Sequence, residues 1–208
     1  MKKVYDYWIP DIEVHFPKAL KKNFKACGIA EYQFQIRNEA MKYIKNFDRC
    51  VDVGANLGLW SKPLCKLFNH VISFEPLDFA FECLKENTKG ENITLNQFAL
   101  GNTNDKIDMI VTDLNTGRSH VDVNSLGKGS IEIKKMDDLN LPYFSFIKLD
   151  CEGYEAEVLK GGMDTIKEYK PVIVTEDHNA VSETQDILKT FGLRKVYSFK
   201  KDHLYIWE

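Results

Sequence analysis

The segment VDVGANLG, Val51 to Gly58, constrains the fold of this chain more than any other stretch. Cys50–Val53 reads as a short buried strand ending at Gly54, and a helix is expected over Leu57–Phe68, with Pro63 tolerable only near its first turn. Gly54 and Gly58 flank the tight turn between them, where missing side chains let a ligand approach the backbone. A dinucleotide site would carry GxGxxG, with the helix N-terminus facing a pyrophosphate. Here the spacing is GxNxG, and Asp52 stands just before the turn. A carboxylate there suits an ammonium group better than a phosphate. A plain strand–turn–helix junction would carry the same letters, so the rest of the chain has to decide.

Strand and helix signals alternate regularly from about Glu31 onward. Apolar positions at Ala40, Met41, Tyr43, Ile44 and Phe47 predict a helix over Glu39–Phe47. Val71–Phe74 reads as a second strand closed by Glu75-Pro76, Asp78–Thr88 as a helix, and Ile93–Leu100 as a third strand. A polar excursion with weaker strands follows over Gly101–Ile133, and Asn115–Lys135, rich in Gly, Ser and Asn, reads as a flexible loop beside the site. Phe144–Leu149 is a fourth strand entering Asp150, and Glu155–Tyr169 is a helix broken at Gly161-Gly162. Val172–Thr175 is a fifth strand ending at Glu176, and Ser182–Phe191 is a capped helix stopped by Gly192. Val196–Phe199 and Leu204–Trp207, joined through Lys200–His203, form a terminal hairpin.

Such alternation predicts an α/β fold: a doubly wound, mostly parallel sheet with helices on both faces and a C-terminal antiparallel hairpin, whose connection is too short for a parallel crossover. The 208 residues suffice for one substantial core, and no linker or repeat divides them. The expected division is an N-terminal extension over residues 1–30, serving as a cap or a partner contact, and a main domain over 31–208.

Composition narrows the class of partner. A net charge of −3, from 28 basic and 31 acidic residues, argues against nucleic-acid binding through bulk charge. Met1-Lys2-Lys3 is followed by Asp6, Pro10 and Asp11 rather than an apolar run, so neither a signal peptide nor a membrane span is expected, and the location expected is cytoplasmic. Five scattered cysteines without a CxxC pair make neither a disulfide framework nor a zinc site.

In a doubly wound sheet, ligands bind outside the carboxyl ends of the strands. That rule gathers Asp52, Gly54, Asn56 and Gly58, then Glu75, then Asp150 and Glu152, then Glu176 and His178 along one rim. Glu75, at the end of the strand after the glycine turn, can accept two hydrogen bonds from a ribose diol. At this point the chain resembles the FkbM family of S-adenosylmethionine-dependent methyltransferases. The resemblance rests on VDVGANLG, ISFEP (Ile72–Pro76), FALGN (Phe98–Asn102), MDDL (Met136–Leu139), IKLDCEGYEAEVLKGG (Ile147–Gly162) and PVIVTE (Pro171–Glu176), and IKLDCEGYEAEVLKGG is its family-specific part. It implies a seven-stranded class I, Rossmann-like methyltransferase sheet and S-adenosylmethionine as cofactor. It further implies that Asp52, Gly54, Ala55, Asn56 and Gly58 surround the methionine part, that Glu75 and Pro76 lie at the ribose, and that Phe98 and Ala99 border the adenine.

Methyl transfer is an in-line displacement in which positioning supplies much of the rate, and a hydroxyl acceptor gains from a base. Asp150 is expected to orient the cofactor or contact the acceptor, with Glu176 and His178 beside it where acceptors approach. Asp150, Glu152 and His178 would hold a divalent ion if they converged; the spacing does not require it, and no metal is expected. The resemblance implies O-methylation of a sugar, glycan or related small metabolite. The rivals are an RNA ribose methyltransferase, disfavoured because Glu176 stands where a lysine would be expected, and a fold that keeps the cofactor site without turnover. A nicotinamide dehydrogenase is disfavoured by the missing GxGxxG.

Overall fold

A computed structural model describes residues 1–112, 114–177 and 182–208. Its strands and helices run, in chain order, β1 (Lys2–Val4), β2 (Tyr7–Ile9), α1 (His15–Cys27), α2 (Phe34–Met41), β3 (Arg49–Val53), α3 (Ser61–Cys65) and β4 (His70–Phe74). They continue with α4 (Asp78–Asn87), β5 (Ile93–Asn96), β6 (Ala99–Leu100), β7 (Asp105–Ile110), β8 (His120–Asp122), β9 (Ile131–Lys134) and β10 (Phe146–Leu149). The last are α5 (Glu155–Gly161), α6 (Met163–Tyr169), β11 (Val172–Glu176), α7 (Glu183–Thr190), β12 (Leu193–Phe199) and β13 (Asp202–Trp207).

The main sheet has seven strands in the order β12-β13-β11-β10-β3-β4-β5. Pairs β11–β10, β10–β3, β3–β4 and β4–β5 are parallel, while β13 pairs antiparallel with both β11 and β12. The expected doubly wound architecture with its C-terminal hairpin is therefore present. Alternation along the strands divides the core in two. Val51, Val53, Ile72, Ile147, Leu149 and Ile173 face α5, α6 and α7 through Val158, Leu159, Ile166 and Leu188. Cys50, Val71, Phe146, Val172 and Val174 face the opposite side, against Ile36 and Ala40 of α2 and Leu64 of α3.

Several local expectations shift. The helix expected over Glu39–Phe47 lies earlier, at α2, where Ile36 and Ala40 are its core positions. The strand expected over Ile93–Leu100 divides at Gln97-Phe98: β5 ends the main sheet, whereas β6 joins a second sheet of order β6-β9-β7-β8. Asn115–Lys135 is not a plain loop, since it contains a 3-10 turn over Thr116–Arg118 and the strands β8 and β9. The helix break at Gly161-Gly162 does separate α5 from α6, and a Cβ on Gly161 would stand 1.8 Å from the Gly101 carbonyl oxygen.

Residues 1–30 pack onto the sheet domain. Tyr7, Ile9, Phe16 and Leu20 share a core cluster with Leu57, Leu59, Leu77, Ala80 and Cys83. Asn87 of α4 donates through Nδ2 to the carbonyl oxygens of Trp8 (2.8 Å) and Leu57 (2.7 Å), fixing β2 against the glycine turn. Among the described residues, no helix is long and apolar enough to cross a membrane.

Candidate active site

A cavity of about 280 Å³ opens at the carboxyl ends of β3, β4, β10 and β11. Gly54, at the end of β3, has a left-handed backbone (φ 73°), and a Cβ there would stand 1.9 Å from the Asp150 carbonyl oxygen. The glycine thus lets β3 and β10 end side by side, which brings the Asp150 loop against the glycine turn. Gly54, Ala55 and Asn56 line the cavity floor.

Glu75 forms one wall. Its side chain is buried, and its carboxylate accepts from the backbone amides of Asn56 (2.8 Å, to Oε2) and Leu77 (2.9 Å, to Oε1). Burial raises its pKa to about 7, and the two amide bonds oppose that rise. Both oxygens keep lone pairs for a further donor. Pro76, Phe98, Ala99 and Leu100 continue this wall, and the edge-to-face contact of Phe98 with Phe74 (5.4 Å) makes it an aromatic slot. The break between β5 and β6 is what brings Phe98 to this position.

The opposite end is acidic. Asp150, Glu152 and Glu176 line the cavity, and one carboxylate oxygen from each lies within 4.8 Å of the others. Gly153 and the left-handed Glu152 (φ 50°) supply the sharp turn that folds the second carboxylate back toward the first. Beneath them Lys148, buried in β10, holds Asp150 in an ion pair of 2.9 Å. Burial alone would lower the lysine's pKa, but Asp150 and Asp52 outweigh it and keep the ammonium charged. Burial, then the repulsion of Asp150, raises Glu176 well above the carboxylate range, and a hydrogen bond with Asp150 favours the protonated form. Burial, then Asp150, also brings Glu152 to about 7. Three carboxylates at this spacing form a donor set for a hard divalent cation.

These shifts have a consequence for stability. Native Glu176 keeps a proton that the unfolded chain releases near pH 4.5, so stability falls as pH rises from there through the raised native pKa. Glu176→Gln holds that proton surrogate permanently. Its melting temperature should match the wild type near pH 5 and exceed it by about 2–4 °C at pH 8, the shift for ~1 kcal/mol after solvent screening. Calorimetric scans at the two pH values check this; a lower melting temperature at both would contradict it.

Two expected ligand residues lie outside the cavity wall. Strand alternation puts Asp52 on the same face as Cys50, under α3, where its Oδ2 accepts from Ser61 Oγ (2.6 Å) and it is fully buried. Its Oδ1 has no hydrogen-bond partner among the described residues. The carboxylates that reach this end of the cavity are therefore those of Asp150, Glu152 and Glu176, and Asp52 is linked to them only by its electrostatic pull on Lys148. Gly58 (φ 79°) instead makes room for helix α4, since a Cβ there would meet Leu84 at 2.9 Å. His178 lies outside the described residues. The sequence reading missed Lys148, Trp60, Tyr32, Arg118 and Lys201, all of which line the cavity. Only Lys148 left a signal, as a charge inside the otherwise apolar run Phe146-Ile147-Lys148-Leu149.

The family description "Methyltransferase FkbM domain" matches residues 52–203, most of the chain. The chain belongs to the FkbM methyltransferase family. Hexuronic acid methyltransferase AglP of Haloferax volcanii is 30% identical over 152 residues, which are 70% of this chain and 62% of that protein. The chain thus spans less than two thirds of that relative's length. Among solved structures, an FkbM methyltransferase from Methylobacillus flagellatus KT superposes with a TM-score of 0.51 at 18% identity, over 97% of this chain and 56% of the other. Magnesium protoporphyrin IX methyltransferase from Synechocystis PCC 6803, solved with bound S-adenosylmethionine, gives 0.53 at 9% identity over 98% and 88%. At these identities the likeness shows the fold, a class I Rossmann-like one.

Proposed function

We propose that this protein binds S-adenosylmethionine in the cavity and transfers its methyl group to a hydroxyl of a sugar or glycan. The observation that carries the reading is that one cavity holds Glu75 and an aromatic slot at one end and the convergent Asp150, Glu152 and Glu176 at the other. Those features match the cofactor's parts: a diol for the Glu75 oxygens, a planar base for the slot beside Phe98, and a cationic end for the carboxylates. Bound there, adenosylmethionine supplies an electrophilic methyl group on a sulfonium. Asp150 stands where the acceptor hydroxyl would enter and would take its proton as the new O–C bond forms and the sulfonium S–C bond breaks to leave a thioether, while protonated Glu176 holds Asp150 through a hydrogen bond. Lys148 fixes the orientation of the Asp150 carboxylate, and Leu59, Trp60 and Phe74 exclude water from the floor.

The relative named a hexuronic acid methyltransferase supports a sugar acceptor that carries its own carboxylate. Arg118 and Lys201 at the cavity offset the repulsion such an acceptor meets from the acidic cluster. Incubation with labelled cofactor and a panel of uronic-acid glycans, neutral glycans and RNA tests the reading. Label is expected on uronic-acid glycans; label on RNA alone would overturn the acceptor class. A separate check is Glu75→Ala, which removes both diol acceptors. Its adenosylmethionine Kd should rise ~10–100-fold, equivalent to ~1.5–3 kcal/mol for hydrogen bonds to a charged group. Titration calorimetry reads this directly, and an unchanged Kd would remove Glu75 from the cofactor site.

A further inference from the structure

Glu13 has a role that its sequence context does not announce. It lies between two surface segments, yet its side chain is completely buried. Its Oε1 accepts from the backbone amides of His15 and Phe16, the first residues of α1. Its Oε2 accepts from the backbone amide of Thr116 (2.6 Å) and from Thr116 Oγ1 (2.8 Å). Four donors thus converge on one carboxylate from segments about a hundred residues apart in sequence, and the Val14 amide donates to the Leu114 carbonyl (3.1 Å) beside them. Helix-start amides have no partner within the helix, so a buried acceptor here satisfies groups that would otherwise stay unpaired.

Both segments held by Glu13 line the ligand cavity: His15 and Phe16 on one side, Asn115 to Ser119 on the other. They interlock tightly, since a Cβ on Gly117 would stand 2.9 Å from the Phe16 ring. The contact reaches the cofactor turn as well. Thr116 Oγ1 lies 3.5 Å from Asn56 Oδ1, and the Asn56 amide donates to Glu75. A chain of polar groups therefore runs from Glu13 through Thr116 and Asn56 to the carboxylate assigned to the ribose.

We infer that Glu13 is a positioning residue: it locks the N-terminal segment and the Asn115–Ser119 strap together as the outer wall of the cofactor cavity. Residues 1–30 are then part of the binding site rather than an appendage to it. The inference rests on the proposed cofactor reading for its ligand, but the wall itself is testable without one. Glu13→Gln keeps the size of the side chain but turns an NH2 group toward donors. In the ligand-free variant of the 208-residue chain, the amides of Asn115–Ser119 should exchange hydrogen at least tenfold faster, while β10 amides keep wild-type protection. The adenosylmethionine Kd should rise at least tenfold. Thr116→Val, which lacks only the hydroxyl, should show the same pattern in smaller measure, and it decides the matter if Glu13→Gln loses β10 protection as well. Wild-type strap exchange, or a wild-type Kd with the strap loosened, would overturn the inference. If the unaltered protein binds no adenosylmethionine, the cofactor reading fails on its own, and the exchange measurement still decides the wall.

Discussion

Lys148→Met is expected to destabilise the protein by ~3–5 kcal/mol, the cost of leaving buried carboxylates without their counter-charge. The melting temperature should fall on the order of 10 °C. Lys148 sits in the central strand β10, between Asp52 on β3 and Asp150 at the rim, with its ammonium 5.5 Å from the Trp60 ring centre. Methionine matches the stem of the lysine, so the loss is electrostatic rather than steric. Asp52 is fully buried, burial already raises its pKa, and Lys148 is the largest influence opposing that rise. Without the lysine, native Asp52 binds a proton that the unfolded chain releases. The deficit should therefore be smallest near pH 5, grow with pH and be largest at pH 8. Denaturant unfolding at both pH values measures it. A variant as stable as the wild type at pH 8 would show that the pair contributes no more than an apolar contact.

Asp150→Asn should lower kcat by ~10²–10⁴-fold, the range for a lost proton acceptor, with a change of at most about tenfold in cofactor Kd. The amide keeps the shape and the bond from Lys148 but cannot take a proton from the acceptor. The asymmetry between kcat and Kd distinguishes a role in the reaction from one in binding. Burial, the largest cause of the raised Glu176 pKa, persists in the variant and opposes Glu176 taking over as proton acceptor near neutral pH. Single-turnover rates with saturating cofactor check the point. A wild-type rate would remove Asp150 from the chemistry, and a large rise in Kd with kcat preserved would make it a cofactor-holding residue instead.

The sequence made the central frame legible because it is local. Hydrophobic runs such as Cys50–Val53 and Val172–Thr175 are buried on both faces, and their order alone places Glu75, Asp150 and Glu176 on one rim. What was not legible depended on which way a strand residue faces or on contacts distant in sequence. Asp52 reads as a ligand residue from its neighbours, but pleating turns it beneath α3 toward Ser61. The apolar run Ile93–Leu100 looks continuous, yet it divides so that its halves serve different sheets, and that division delivers Phe98 to the cavity. For Glu13 only the bonds to the start of α1 are local, because its other partner, Thr116, lies in a distant polar stretch. Lys148 is the exception, since a charge inside an apolar strand run signals a paired group by its neighbours alone.

A cavity built for adenosylmethionine should distinguish sulfur nucleotides from pyridine dinucleotides. Titration calorimetry of the 208-residue chain with adenosylmethionine, adenosylhomocysteine and NAD decides this. Saturable one-to-one binding of both sulfur nucleotides is expected, with no heat from NAD. Binding of NAD without adenosylmethionine would contradict it.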